Sequence, residues 1–199
     1  MAQKTDETLM LEAGQGDFTA FEALIKRYQD RMLNFFIRFM GSETLAQDFV
    51  QELFLRAFQA RERYRPTAAF STWLYTIAHR LCLDEKRKAV LRRTVSLDEP
   101  MGGDSRAGRE VSLRDVLADG VPDALSRMGQ AEKESVVRAV IQSLPLDFRS
   151  FLVLSVYEGL GYQEIADITG VRVEAVRMRS SRAHKALKQK MEKLREELS

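Results

Sequence analysis

The stretch YQEIADITGVRVEAVRMRSSRAHKAL, residues 162–187, decides the reading of this chain. Its pattern predicts two helices joined by a tight turn at Gly170. Ile165 and Ala166 lie on the first helix, and Gly170 follows Ala166 where the turn demands a positive φ. Glycine takes that conformation without a Cβ clash, and a small alanine lets two backbones approach. Val171, Val173 and Val176 supply the apolar contacts that hold the second helix across the first. That second helix carries Arg172, Arg177, Arg179, Arg182, His184, Lys185, Lys188 and Lys190 against a single acid, Glu174. Such a concentration of cations suits a helix laid against DNA phosphates, its leading turns reaching base edges. An αα-hairpin with a merely solvated basic face is the alternative. Turn, small residue and basic face coincide here, which favours DNA.

Upstream of this motif the periodicity is helical almost throughout. Phe18, Phe21, Ile25, Tyr28, Met32, Phe35 and Phe39 recur at spacings of three and four and predict one long helix. Asp17 is its expected N-cap and Gly41 its expected stop. Ser42 is expected to cap a second helix with Leu45, Phe49, Leu53 and Ala57 inward, its face widened by Val50, Phe54 and Phe58. Pro66 breaks the pattern, so RERYRPTAA, residues 61–69, reads as a loop. Ser71 or Thr72 should cap a third helix running through Trp73, Leu74, Ile77 and Leu81 toward Arg93. These helices can bury one another's faces as a bundle.

From Thr94 to about Arg127 the character changes to glycine, proline and acids, including Pro100, Gly102, Gly103, Asp98, Glu99 and Asp104. That composition reads as a flexible acidic linker. Helix resumes near Ala131 with Val136, Val140 and Ile141. Pro145 then suits the first turn of a helix bearing Phe148, Phe151, Leu152 and Val156. The expected architecture is all-α: two small helical domains on a tether, the second a helix-turn-helix, over 1–93, 94–128 and 129–199.

Composition narrows the function classes. With 45% hydrophobic residues among 199, the chain can build real cores. Net charge is only +2, but the cations cluster at 86–93 and 172–190, and local basicity governs contact with a polyanion. The single cysteine, Cys82, cannot form an internal disulfide and sits in an apolar register, which suits packing and a reducing compartment such as the cytoplasm. No signal peptide is read at the start, and no apolar run is long enough to insert in a membrane. Only His79 and His184 are present, without metal-ligand spacing or a phosphate-binding glycine loop, so neither enzyme chemistry, a catalytic residue, a metal nor a cofactor is expected.

At this point several segments together resemble a family. FEALIKRY (21–28), AQDFVQELFLRAF (46–58), FSTWLYTIAHRLCLDEKRK (70–88) and LPLDFRSFLVLSVYEGLGYQEIA (144–166) are similar, in this order, to bacterial RNA polymerase sigma factors of the extracytoplasmic-function (ECF) group. The resemblance implies a front domain that binds the clamp of core RNA polymerase and the minus-ten promoter element. It implies a rear domain that binds the minus-thirty-five element and the polymerase flap. An anti-sigma factor is a further candidate partner on the same basis.

The residues carry these expectations one by one. Asp48, Gln51, Glu52 and Gln59 form a polar ridge opposite the apolar face of the second helix. The resemblance assigns Asp48, Gln51 and Glu52 to the clamp; a solvated face is the plain alternative, and a metal pair of Asp48 and Glu52 lacks a nearby histidine. Arg61, Arg63, Tyr64 and Arg65 with Phe70, Trp73 and Tyr75 combine cations and rings, as single-stranded DNA requires. The resemblance makes the loop with Tyr64 a pocket for a splayed base, with Trp73 and Arg80 beneath the melted strand. Phe70 reads equally well as core. Lys86, Arg87 and Lys88 suit phosphate contact without sequence readout. The minus-ten set is thus Tyr64, Arg65, Trp73, Arg80, Lys86 and Arg87. The minus-thirty-five set is Tyr162, Arg172, Arg177, Met178, Arg179, Ser181 and Arg182.

Departures from the family pattern are Arg80 where asparagine is frequent, Thr76 for arginine, Glu174-Ala175 for Gly-Thr, Ser180 for an aliphatic and His184 for arginine. A guanidinium at position 80 offers different hydrogen bonds from an amide, which bears on minus-ten preference. The acidic linker is expected to mimic nucleic acid inside the polymerase. A conventional helix-turn-helix regulator acting as a dimer is the rival reading, and the front domain argues against it.

Overall fold

Asp17 opens the longest apolar stripe of the chain, and its side chain does what the sequence leads one to expect. Its Oδ1 accepts from the Thr19 and Ala20 amides at 3.0 and 3.2 Å and from the Thr19 hydroxyl at 2.6 Å. Those bonds hold its carboxyl below the usual aspartate range, the Thr19 hydroxyl contributing most. In the computed structural model, which describes the backbone over residues 4–94 and 130–197, the chain forms two helical units. The expected linker lies outside the described residues apart from Thr94, as does its proposed path. No strand occurs among the described residues.

The front unit contains α1 (Asp6–Gly14), α2 (Phe18–Met40), α3 (Glu43–Ala60), a short 3-10 turn (Arg61–Arg63) and α4 (Phe70–Thr94). Helix α2 is the spine. Leu24, Met32, Phe35, Phe36 and Phe39 are wholly buried along it, at the three-and-four spacing that keeps one face inward. Phe35 meets Tyr75 of α4 edge-on at 5.3 Å, Phe36 meets Phe49 of α3 at 5.4 Å, and Phe39 meets His79 at 5.9 Å. Edge-to-face rings interlock the three helices beyond simple area burial.

Two predicted stripes hold along most of their length and differ at single positions. Phe18 is 59% exposed and Ile25 half-buried, while Leu24 takes the central place. On α3 the expected inward Leu45 is exposed and Ala46 is buried in its place, while Leu53 and Ala57 are buried as expected. Neither Ser71 nor Thr72 caps α4. The helix begins at Phe70, before either of them, and Thr72 lies buried in its first turn. Helix α1 is absent from the periodicity reading. Its nine residues are too few to show a stripe, yet Leu9, Met10 and Ala13 are buried and Thr5 caps it.

The rear unit contains α5 (Gln130–Gln142), α6 (Leu146–Leu152), a π turn (Val153–Tyr157), α7 (Tyr162–Thr169) and α8 (Val173–Glu197). Pro145 precedes α6 as its N-cap, one residue outside the first turn. Phe151, Leu152, Val153 and Leu154 are buried together, as are Ile165, Val176, Ala183 and Leu187. Buried Arg149 donates to the carbonyls of Gln142 and Leu144, satisfying the open end of α5. Gly170 adopts φ 71 and ψ 26, the left-handed turn the sequence demands between α7 and α8. Gly170→Val should cost about 1–2 kcal/mol of rear-unit stability because a Cβ in that region clashes with the backbone. Calorimetry of the variant checks this, with Gly170→Asn expected to lose much less.

Candidate nucleic-acid interface

Helix α8 packs one face chiefly on α6, with Tyr162 of α7 reaching the same side, and turns the opposite face to solvent. Val176, Ser180, Ala183, His184, Leu187 and Met191 are buried along it. Ser180 therefore belongs to the packing, its Oγ 3.2 Å from the Tyr162 hydroxyl. His184 is likewise removed from the basic face predicted for it. Its Nδ1 donates to the Ser180 carbonyl at 2.8 Å, and its ring meets Phe151 edge-on at 5.7 Å. The reason is spacing: 176, 180, 183, 184 and 187 share one side of a helix. Tyr162 is half-buried between Phe151 and Ser180 and ties α7 to α8.

The outward face retains the rest of the expected set. Arg172, Arg177, Met178, Lys185 and Lys188 are exposed, and Ser181 and Arg182 half-exposed. Met178 is 53% exposed, at the position diametrically opposite the packed side, so a large apolar group sits in the centre of the cationic surface. Arg179 lies at the edge of that face and is held at 3.0 Å by Asp147 of α6. Sequence reading missed Asp147; no local spacing links it to Arg179.

In the front unit the α3 ridge is where the spacing puts it. Asp48, Gln51 and Gln59 are exposed, and Glu52 accepts from Arg56 Nε at 2.6 Å one turn along. Beside it, a cleft of ≈ 390 Å³ between α3 and α4 is lined by Phe49, Glu52, Arg56, Leu81, Asp84 and Lys88, among others. Arg80 and Arg87 are exposed, and Lys86 partly so; Arg87 lies 3.6 Å from Asp84, a loose exposed pair of little energetic weight. No group of three or more His, Cys, Asp or Glu residues suited to a metal occurs among the described residues.

The loop from Arg65 to Ala69 is exposed throughout, but Tyr64 is not the open ring expected there. It is 3% exposed, packed edge-on against Trp73 at 5.1 Å and Phe70 at 6.1 Å. A tyrosine flanked by polar residues looks accessible in sequence, whereas the buried aromatics of α4 draw it inward. Burial first, then the Glu7 and Asp6 charges, push its phenol up to about 12, so the ring is neutral. Phe70 is core, as its alternative reading had it, and Trp73 is half-buried over both rings.

A cation-faced helix-turn-helix in one unit and a ridged helical unit in the other define a class of DNA-binding transcription protein. Comparison with known proteins narrows it. Residues 24–92 match Sigma-70 region 2, and residues 135–187 match Sigma-70, region 4. The RNA polymerase sigma-H factor of Pseudomonas aeruginosa is 32% identical over 194 residues, covering 98% of this chain and 97% of that protein. The ECF RNA polymerase sigma-E factor of Escherichia coli K12 is 31% identical over 196 residues, covering 96% and 97%. The solved structure of CnrH in complex with the cytosolic domain of CnrY superposes with a TM-score of 0.65 at 21% identity, over 96% of this chain and 99% of that one. The sigma factor RpoE of Bartonella quintana, solved with the anti-sigma factor NepR, gives 0.62 at 18% identity, over 86% and 96%. These structures share the fold. The chain belongs to the sigma-70 family, in the ECF group of RNA polymerase sigma factors, and directs promoter recognition. Sigma factors are in general non-enzymatic initiation factors. Among the described residues no helix is long and apolar enough to cross a membrane.

Proposed function

We propose that this chain is a dissociable, cytoplasmic specificity subunit without bond chemistry of its own. In this reading residues 1–93 bind the polymerase clamp and trap the melted minus-ten strand, 94–128 tether, and 129–199 bind the minus-thirty-five duplex and the flap. The observation that carries it is the outward side of α8, where Arg177, Met178, Ser181 and Arg182 lie outside the packed stripe and are exposed or half-exposed. Arg177 and Arg182 can donate paired bonds to a guanine edge; Met178 can touch a thymine methyl but cannot donate. Arg172, Lys185 and Lys188 suit phosphates, and Arg179, already paired with Asp147, positions α8 instead of reading a base. Tyr162 supports that helix from behind.

In the front unit Asp48, Gln51 and Glu52 are the clamp contacts. Arg65 of the exposed loop, Trp73, Arg80, Lys86 and Arg87 face the promoter, and Tyr64 serves as the loop's buried foot. An anti-sigma factor is a partner consistent with the relatives solved in such complexes.

Reconstitution with core RNA polymerase on a linear promoter fragment tests the reading. The chain should convert promoter-blind core into an enzyme with one defined start site. Core that ignores the chain, or a dimeric chain that binds the duplex equally well without polymerase, would sink it.

A further inference from the structure

The exposed loop between α3 and α4 is held at both ends by α1. At its entry, Gly14 packs so tightly that a Cβ there would lie 2.8 Å from the Arg61 carbonyl oxygen. At its exit, Glu7 Oε1 accepts the Phe70 amide at 2.8 Å, across 63 residues of sequence. That amide opens α4 and has no acceptor within the helix. The N-cap position is Ala69, whose carbonyl takes the Trp73 amide but whose side chain offers nothing. A carboxylate from another helix fills the role, favoured by the positive end of α4 and by a charge-assisted bond.

Neighbouring contacts fix Glu7 in place. Asp6 accepts from Arg27 at 2.5 Å and from the Tyr28 hydroxyl at 2.6 Å, which sets α1 on α2. Tyr28 in turn meets Phe70 edge-on at 5.3 Å. The loop thus stands on two buried feet, Tyr64 and Phe70, with its five intervening residues exposed. Between Glu7 and Gly14, α1 spans about 10 Å at its rise per residue.

We propose that α1 is a splint for the loop from Tyr64 to Ala69, and that Glu7 is a positioning residue for strand capture. The inference rests on the reading that this loop traps the melted minus-ten strand. Glu7 touches no DNA; it acts by fixing where α4 begins and where Arg65 is presented. A preset loop avoids the ordering cost that a loose one incurs on binding.

The chain has one tryptophan, Trp73, whose ring packs against Tyr64 and Phe70, so the splint has a built-in reporter. In the free chain, Glu7→Ala should shift Trp73 emission to the red and speed Phe70 amide exchange about tenfold. In holoenzyme, it should weaken capture of a single-stranded minus-ten oligonucleotide about tenfold. Competition for core polymerase and binding of a minus-thirty-five duplex, which use other residues, should stay within about twofold. Glu7→Gln, which keeps an acceptor oxygen, should recover much of the loss. Unchanged emission and exchange would overturn the splint. A loosened loop with full strand capture would overturn the positioning role, and so would parallel loss of core binding. A wild-type holoenzyme indifferent to the strand would overturn the capture reading and with it the role of Glu7, while emission and exchange would still decide the splint.

Discussion

Arg177→Ala is expected to weaken holoenzyme binding to its minus-thirty-five duplex by about 1–3 kcal/mol, and to do so at one base pair. The argument is geometric. Arg177 is exposed beside Met178 on the outward face of α8, near the helix start where a recognition helix reaches base edges. A guanidinium donating twice to one guanine cannot be replaced by water without losing discrimination against the other bases. Lys185, two turns further along, should behave differently. Lys185→Ala should lower affinity evenly across sequences and reduce the slope of log affinity against log salt by about one. Competition binding with single-base variants of the duplex, repeated over a salt series, separates the two. Even loss across all variants in Arg177→Ala would reassign that residue to phosphate.

Phe35→Ala should be the most damaging single change to the front unit, at about 3–5 kcal/mol. Phe35 is wholly buried and packs on Phe36, Phe39 and Tyr75, so its removal leaves a cavity where α2 meets α4. The surrounding rings cannot collapse into it without leaving their edge-on contacts. Denaturant unfolding followed by Trp73 emission reports on this unit alone, since the only tryptophan lies in α4. Phe35→Leu should cost considerably less. Core polymerase binding should fall in step with the unfolded fraction, and a loss of binding at full stability would mean Phe35 acts otherwise.

Local chemistry made much of this protein legible before any coordinates. The α2 cap at Asp17, the α3 cap at Ser42 and the Gly170 turn are each set by a neighbouring side chain or by φ at one residue. Helix periodicity likewise exposed the ridge of Asp48, Gln51 and Gln59 and most of the cationic face of α8. What packing across distance decides was not readable: Tyr64 turning inward, His184 meeting Phe151 of α6, Ser180 meeting Tyr162 of α7, Arg179 held by Asp147, and Glu7 accepting the first amide of α4. Those outcomes depend on which residues a folded chain brings within hydrogen-bond or van der Waals reach. Nearest-neighbour spacing carries no information on partners 18, 32 or 63 residues apart, so patterning dictated the helices and their polar faces, and burial assigned the individual side chains.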